Sequence, residues 1–282
     1  MTKSITAVAA CCTLLFTLGT GCRIHDEAAA ADTTLPMVED KAANDAPQAM
    51  TLTADGPVTL EALAETALVK DDDGTLLATV SYTRAQLVGS TKGVTALNQL
   101  GKQAQQAYLD QAADTWREPA QQARVQRGDA FVPFTIDSTY EATYNSAGLL
   151  SLLRTEYANT GAPSPSLRRS SRTFLLTDGR ELAVTDLLNG DDASVRQLIH
   201  QQFAAQIAQA PQNYYPSAAA ALPNNAAYAQ FYLAGTELRF YLPQEIIAPK
   251  AAGFPEFGLP YDDESLFRFT VPMVKRNRLS SS

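Results

Sequence analysis

Cys22 is the residue whose surroundings most plainly imply chemistry. It closes the run Leu18-Gly19-Thr20-Gly21-Cys22, and small residues before a cysteine mark the place where an exported chain is cut and its new terminal thiol acylated. Gly19 stands where such sites usually carry a large aliphatic residue, with Leu18 one position early. Upstream, Lys3 is the sole charge before Arg23, and residues 5–18 are apolar or small. A charged start and a short apolar run fit a signal peptide over 1–21 rather than a transmembrane helix of about 20 residues. The expected mature chain begins at Cys22 and is held on the outer face of the cell membrane by acyl chains such as palmitate. The alternative is an ordinary secretory peptide cut near Ala28–Ala31. Cys11 and Cys12 leave with the peptide, so Cys22 has no thiol to pair with and stability must come from the core.

Other chemistry finds few residues to use. The histidines are His25 and His200, too few for a zinc site without carboxylates as the main ligands. A triad would have to run through His200, and no nucleophile-elbow motif accompanies it. Dinucleotide and phosphate-loop glycine patterns are missing, so no cofactor is expected. Asp262, Asp263 and Glu264 form an acidic run of a kind common on surfaces, and paired carboxylates for glycoside cleavage cannot be read from sequence. Asp72-Asp73-Gly74 lacks the spaced carboxylates and closing Glu of a calcium loop and reads as a hairpin turn. The sequence therefore implies neither catalytic nor metal-binding residues.

The positioning elements follow from patterning. Residues 23–55 set two cations against seven carboxylates, a net of −5, with few large apolar side chains; this marks 22–56 as an acidic linker whose burial cannot offset its ordering entropy. The whole chain carries −8, which argues against nucleic acid and admits a basic protein partner. Two strands are expected at Ala67–Asp71 and Thr75–Tyr82. Val94, Leu97, Gly101, Ala104, Tyr108, Ala112 and Trp116 then trace one helical stripe, with Trp116 in the core and Pro119 ending or kinking the helix. Period-two alternation from Phe134 to Tyr144, the turn Asn145–Gly148 and the return Leu149–Tyr157 make a hairpin. Asn159–Ser171 reads as a loop, followed by a strand Thr173–Thr177. A helix capped by Asp191 or Asp192 buries Val195, Leu198, Ile199, Phe203 and Ile207, with His200 beside that face. Strands Gln230–Leu233 and Glu237–Leu242 flank Ala234-Gly235, and a last strand is expected at Ser265–Val271 before a basic tail, 275–282. Hairpins with helices inserted between them, without βαβ alternation, imply an α+β fold built on a largely antiparallel sheet.

One segment is more specific. Residues 246–261 read Ile-Ile-Ala-Pro-Lys-Ala-Ala-Gly-Phe-Pro-Glu-Phe-Gly-Leu-Pro-Tyr, which resembles the C-terminal signature of the family forming the extracytoplasmic domain of the anti-sigma factor RsiV (DUF3298, usually preceded by a DUF4163 region). Matches follow in the family's order: Leu152–Tyr157; Thr173–Asp178 with Gly179, Leu182 and Thr185-Asp186-Leu187-Leu188; and Gln230–Leu242. On this resemblance 57–130 is DUF4163-like and 131–274 is RsiV-like. The resemblance implies a non-catalytic recognition module whose best-known relatives bind lysozyme, a basic protein. Its ligand residues would be Asn159, Gly161, Ala162 and Ser164 in one loop and Pro249 and Lys250 in another. Two departures bear on the ligand: Thr160-Gly161-Ala162-Pro163 replaces the family's Gly-Gly-Ala-His, and Lys250 stands where an aromatic commonly follows Ala-Pro. Lysozyme, another envelope protein, and cell-wall glycan (directly, or as accessory to a peptidoglycan-modifying enzyme) stay open as partners. Phe254 and Phe257 either fill core or face the ligand.

Metabolic labelling with a fatty-acid analogue tests the anchor. Label should enter the wild-type chain and vanish in Cys22→Ala; equal labelling of both, or of neither, rejects lipidation.

Overall fold

The computed structural model describes residues 56–225, 229–263 and 265–268. The signal segment, Cys22, the linker up to residue 55, Glu264, the end of the expected strand Ser265–Val271 and the basic tail lie outside the described residues; the described part of that strand, 265–268, is turn, with a single bridge from Phe267 to Leu188. The described chain is α+β, with a five-stranded sheet ordered β1-β2-β3-β4-β5 and a three-stranded sheet ordered β6-β7-β8.

β1 (Leu60–Lys70) and β2 (Leu76–Leu87) form the first hairpin. β1 starts seven residues before the expected strand because Glu61–Thr66 are exposed on both faces, leaving no alternation to read. The Asp-rich turn is a turn: Gly74 takes φ 84°, and Gly74 N donates to Asp71 O at 3.0 Å. Its carboxylates are engaged by the helix beneath. Arg124 donates to Asp71 Oδ2 at 2.5 Å and to Asp73 Oδ2 at 2.8 Å, and Gln121 to Asp71 Oδ1 at 2.8 Å. These bonds, Arg124 foremost for Asp73 and Gln121 for Asp71, hold both carboxyls below the usual carboxylate range. Lowered folded-state values mean that the stabilisation is present at neutral pH and lost as pH falls through that range.

The single expected helix is two, α1 (Lys92–Asp110) and α2 (Ala112–Arg127), broken at Gln111. Pro119 lies inside α2 rather than ending it. It is exposed, while Ala120 and Ala123 keep α2 packed on the sheet. The helices carry the chain from β2 to β3 (Phe134–Ser146), which pairs with β2 in parallel. That crossover is the one βαβ-like unit, against the expectation of none. The other pairings are antiparallel.

β3 and β4 (Leu149–Asn159) form the expected hairpin, closed by Ala147 and Gly148 at φ 54° and 76°, the positive values a two-residue turn requires. The alternation is broken once: a bulge between Ala142 and Tyr144 turns Tyr144 away from the helices into the core beneath the second sheet. β5 (Ser166–Leu175) pairs with β4 along its length, so residues 166–171, expected to be loop, are strand. Serine and arginine disguise the strand because its edge is only half covered.

The chain then forms α3 (Val184–Leu187), α4 (Asp192–Gln209), α5 (Ala218–Asn225), and β6 (Gln230–Leu233), β7 (Glu237–Tyr241) and β8 (Glu256–Pro260). Asp191 Oδ1 accepts from Ser194 N at 2.8 Å and caps α4, whose Val195, Ile199, Phe203 and Ile207 are buried as the spacing implies. The main core lies here, with the Phe257 ring 4.9 Å from Phe203, edge-on, and 5.1 Å from Phe240, stacked.

The two sheets meet over β4 and β5. Ser151 Oγ and Thr173 Oγ1 are 2.9 Å apart, both residues are buried, and Leu233 N of β6 donates to Ser151 Oγ at 3.1 Å. Ser171 Oγ donates to Phe231 O at 2.5 Å. Ser151→Ala strands a buried backbone donor and should cost about 1–3 kcal/mol, read as a lower urea midpoint at unchanged slope.

Candidate functional site

The turn joining β4 to β5 is built from both ends. Asn159 Oδ1 accepts from Gly161 N at 3.0 Å, a side-chain turn that sets the loop's direction. Gly161 takes φ 75°. From the end of α2, Arg127 Nη1 donates to Thr160 O at 2.6 Å, and a Cβ on Gly161 would sit 2.4 Å from that nitrogen. The positive φ favours glycine here, while an added Cβ would meet only the movable tip of Arg127.

The other loop reaches the same place. Ile247 and Ala248 are buried and Pro249 is exposed; the single turn Lys250–Ala252 follows, ended by Gly253 at φ 74°. Lys250 Nζ donates to Ser164 O at 3.4 Å. The structure therefore brings Asn159, Gly161, Ala162 and Ser164 beside Pro249 and Lys250, across 86 positions of sequence. Ala162 and Ser164 are exposed. Arg127 is the participant that sequence reasoning missed, and no spacing or motif links a helix end to a loop 33 residues later.

The neighbouring aromatics divide. Phe257 is core. Phe254 is half-buried, edge-on to Tyr241 at 6.3 Å, with the Arg169 guanidinium 4.4 Å above its ring. Tyr241 donates to Gln230 Oε1 at 2.9 Å, and burial pushes its hydroxyl pKa up to about 12. Glu256 accepts from Tyr232 and Arg239, each at 3.2 Å, and lies 3.9 Å from Arg169. Burial, with Glu256 adding to it, raises Tyr232. His200 is half-buried on α4, and Asp262 and Asp263 are exposed. Among the described residues no three His, Cys, Asp or Glu side chains are grouped to hold a metal ion.

Charge at the loops runs against the chain's average. Residues 159–165 and 247–252 contain no carboxylate, and the cations of Arg127 and Lys250 border them. The net −8 belongs to other parts of the molecule.

Residues 185–262 match the model of a family described as a protein of unknown function, DUF3298. The match contains the second loop and not the first. Among solved structures, a member of the DUF3298 family from Bacteroides fragilis is similar with a TM-score of 0.51 and 18% identity, over 77% of this chain and 96% of that one. A DUF3298 family protein from Pseudomonas aeruginosa gives 0.48 and 15%, over 77% and 99%. The first of these likenesses concerns the fold. No curated protein matches the chain.

Gly161→Ala tests the construction of the first loop. It should destabilise by about 1–2 kcal/mol from backbone strain, read by chemical denaturation; combining it with Arg127→Ala should relieve the steric part and leave that backbone cost.

Proposed function

We propose that this chain is an extracytoplasmic, non-catalytic recognition module, tethered through lipidated Cys22, that holds its partner at the joined loops Asn159–Ser164 and Pro249–Lys250. The observation that carries the reading is the contact between Lys250 Nζ and Ser164 O. Two exposed, non-regular segments from distant parts of the chain meet on a rigid two-sheet scaffold, the arrangement in which loops serve binding. On the resemblance to the RsiV family, with 57–130 as the DUF4163-like part, a C-type lysozyme is the first candidate partner, followed by other basic envelope proteins. The net −4 of residues 57–282, 19 cations against 23 carboxylates, would speed encounter with a cation. A second reading, cell-wall glycan, is favoured by the cations and missing carboxylates at the loops themselves. Among the described residues no helix is long and apolar enough to cross a membrane.

Calorimetry against lysozyme and soluble glycan fragments decides between the partners. Pro249→Ala should weaken binding by about 1–2 kcal/mol if Pro249 is an anchor, and added salt should slow association with lysozyme. Lysozyme binding that survives changes in both loops would refute the site. Release of acetate or reducing ends from peptidoglycan, abolished by one carboxylate substitution, would refute the non-catalytic reading.

A further inference from the structure

β1 is the outer strand of the five-stranded sheet, and its pairing phase fixes which main-chain groups it leaves free. Val88 N donates to Thr59 O at 2.9 Å, and the register runs unbroken from Leu60–Leu87 to Val69–Ala78. Odd-numbered residues of β1 therefore bond to β2, and even-numbered ones turn N–H and C=O away from it. Elsewhere such outward groups are capped by side chains. Asn145 takes both groups of Val58, at 3.0 and 2.7 Å. On β2, past the end of its pairing with β3, Arg154 donates to Thr83 O at 3.0 Å. Asn98 takes both groups of Leu87, at 2.8 and 2.9 Å. Among the described residues no side chain bonds the main chain of Ala62, Ala64, Thr66 or Leu68. The stretch also lacks features that keep edges from pairing. Leu60–Val69 contains no Pro, Gly or Lys and no bulge. Residues 61–66 are exposed in succession, and Leu63 and Leu68 keep 37% and 57% of their surface in water. Its charges, Glu61 and Glu65, share one face, where the register sets Arg84 of β2 between them. The face of Ala62, Ala64, Thr66 and Leu68 is uncharged.

We infer that this edge is completed by the same edge of a second copy, in an antiparallel pair about a two-fold axis at Thr66. The inference goes beyond the recognition reading and stands without it. A two-fold contact requires one surface to complement itself, and the sequence of β1 does so about Thr66. On one face Thr66 meets Thr66 of the other copy, and Leu68 lies opposite Ala64. On the other face Leu63 lies opposite Val69, and Glu65 opposite Ala67. Both exposed leucines are covered, and no like charges stand directly opposed between Ala62 and Lys70. Thr66 and the even-numbered residues beside it exchange two main-chain hydrogen bonds in each facing pair. An axis at Glu65 would oppose two carboxylates, which destabilises a strand pair. An axis at Ala64 would set Leu63 against the Glu65 carboxylate. A strand from a different protein is the rival occupant, and it carries no requirement for symmetry.

Disulfide trapping on the whole exported chain, kept where the cell places it, tests this. Facing Cα atoms of a hydrogen-bonded antiparallel pair are about 5.5 Å apart, within reach of a disulfide. Thr66→Cys should therefore give a covalent dimer under mild oxidation. Ala62→Cys should not, since its two copies would stand about 27 Å apart along the pair. Gln212→Cys, on an exposed turn, and the parent chain should not either. Leu68→Lys sets a charge against Ala64, a loss that acts twice across the axis, and should slow trapping at position 66 about tenfold. Ala64→Pro removes an outward N–H while leaving the ladder to β2 intact, and should slow it likewise. An unchanged thermal melt shows that a variant is folded, and should Ala64→Pro fail that check, Leu68→Lys decides. Trapping at position 66 no greater than at 62 or 212, or indifferent to Leu68→Lys, overturns the inference. A disulfide from position 66 to a different protein, in place of the dimer, also overturns it and assigns the edge to a foreign strand.

Discussion

The buried hydroxyl pair Ser151–Thr173, with Leu233 N donating into it, is the constraint from which the rest of the arrangement follows. It ties β4 and β5 of the large sheet to β6 of the small one, in a seam that also holds the hydrogen bonds of Ser171 to Phe231 and of Tyr241 to Gln230. Buried polar groups are tolerated only when satisfied, and here each strand offers what the other lacks. Because both hydroxyls are buried and hydrogen-bonded to each other, a register shift in any of the three strands would leave at least one buried group unpaired. The tie therefore fixes where β6–β8 sits, and so where the chain after β7 must run. Ile247 and Ala248 plug into the core below, and Pro249 and Lys250 are delivered beside the β4–β5 turn.

A second polar device sets the limit of the large sheet. The parallel pairing of β2 with β3 ends at Tyr82 and Ser138. Arg154 reaches across the point where the strands part: its guanidinium lies 3.8 Å over the Tyr82 ring and donates to Thr83 O at 3.0 Å and Ser138 Oγ at 3.1 Å. Burial pushes its pKa down from the ordinary arginine value, and the ring and carbonyls compensate the desolvated charge. Tyr108 beside it donates to the Glu156 carboxylate, and burial and that carboxylate together raise the Tyr108 pKa. Further along, Asn145 exchanges two hydrogen bonds with Val58, at 3.0 and 2.7 Å, fastening the start of β1 to the far end of β3. The result is a sheet with α1 and α2 packed on one face and the second sheet seated over β4 and β5 on the other.

How much of this the residues announce depends on whether a physical signal is local. The β3–β4 hairpin is written in its alternation, and α4 in its apolar spacing and Asp191 cap, so both stand where the sequence puts them. β1 and β5 are half-hidden for opposite reasons, one exposed on both faces and the other carrying Ser and Arg on a margin. Pro119 misleads because the packing of Ala120 and Ala123 on the sheet carries α2 past the hydrogen bond proline removes, and spacing does not show that packing. The bulge near Thr143 reverses the side taken by Tyr144, and no composition marks it.

The sequence by itself determined the fold class, the main hairpin, α4, the β6 and β7 strands of the second sheet and the irregular stretch 159–165, because short-range periodicity, capping and turn chemistry act among neighbours in the chain. Only the tertiary structure decided that the loops 159–165 and 247–252 adjoin, that Arg127 shapes the first of them, that cations border them in an acidic chain, and that β8 completes the second sheet over β4 and β5. Each depends on which buried groups found partners across long separations, and such pairing is settled by packing and hydrogen-bond satisfaction in the assembled core rather than by any residue's local preference.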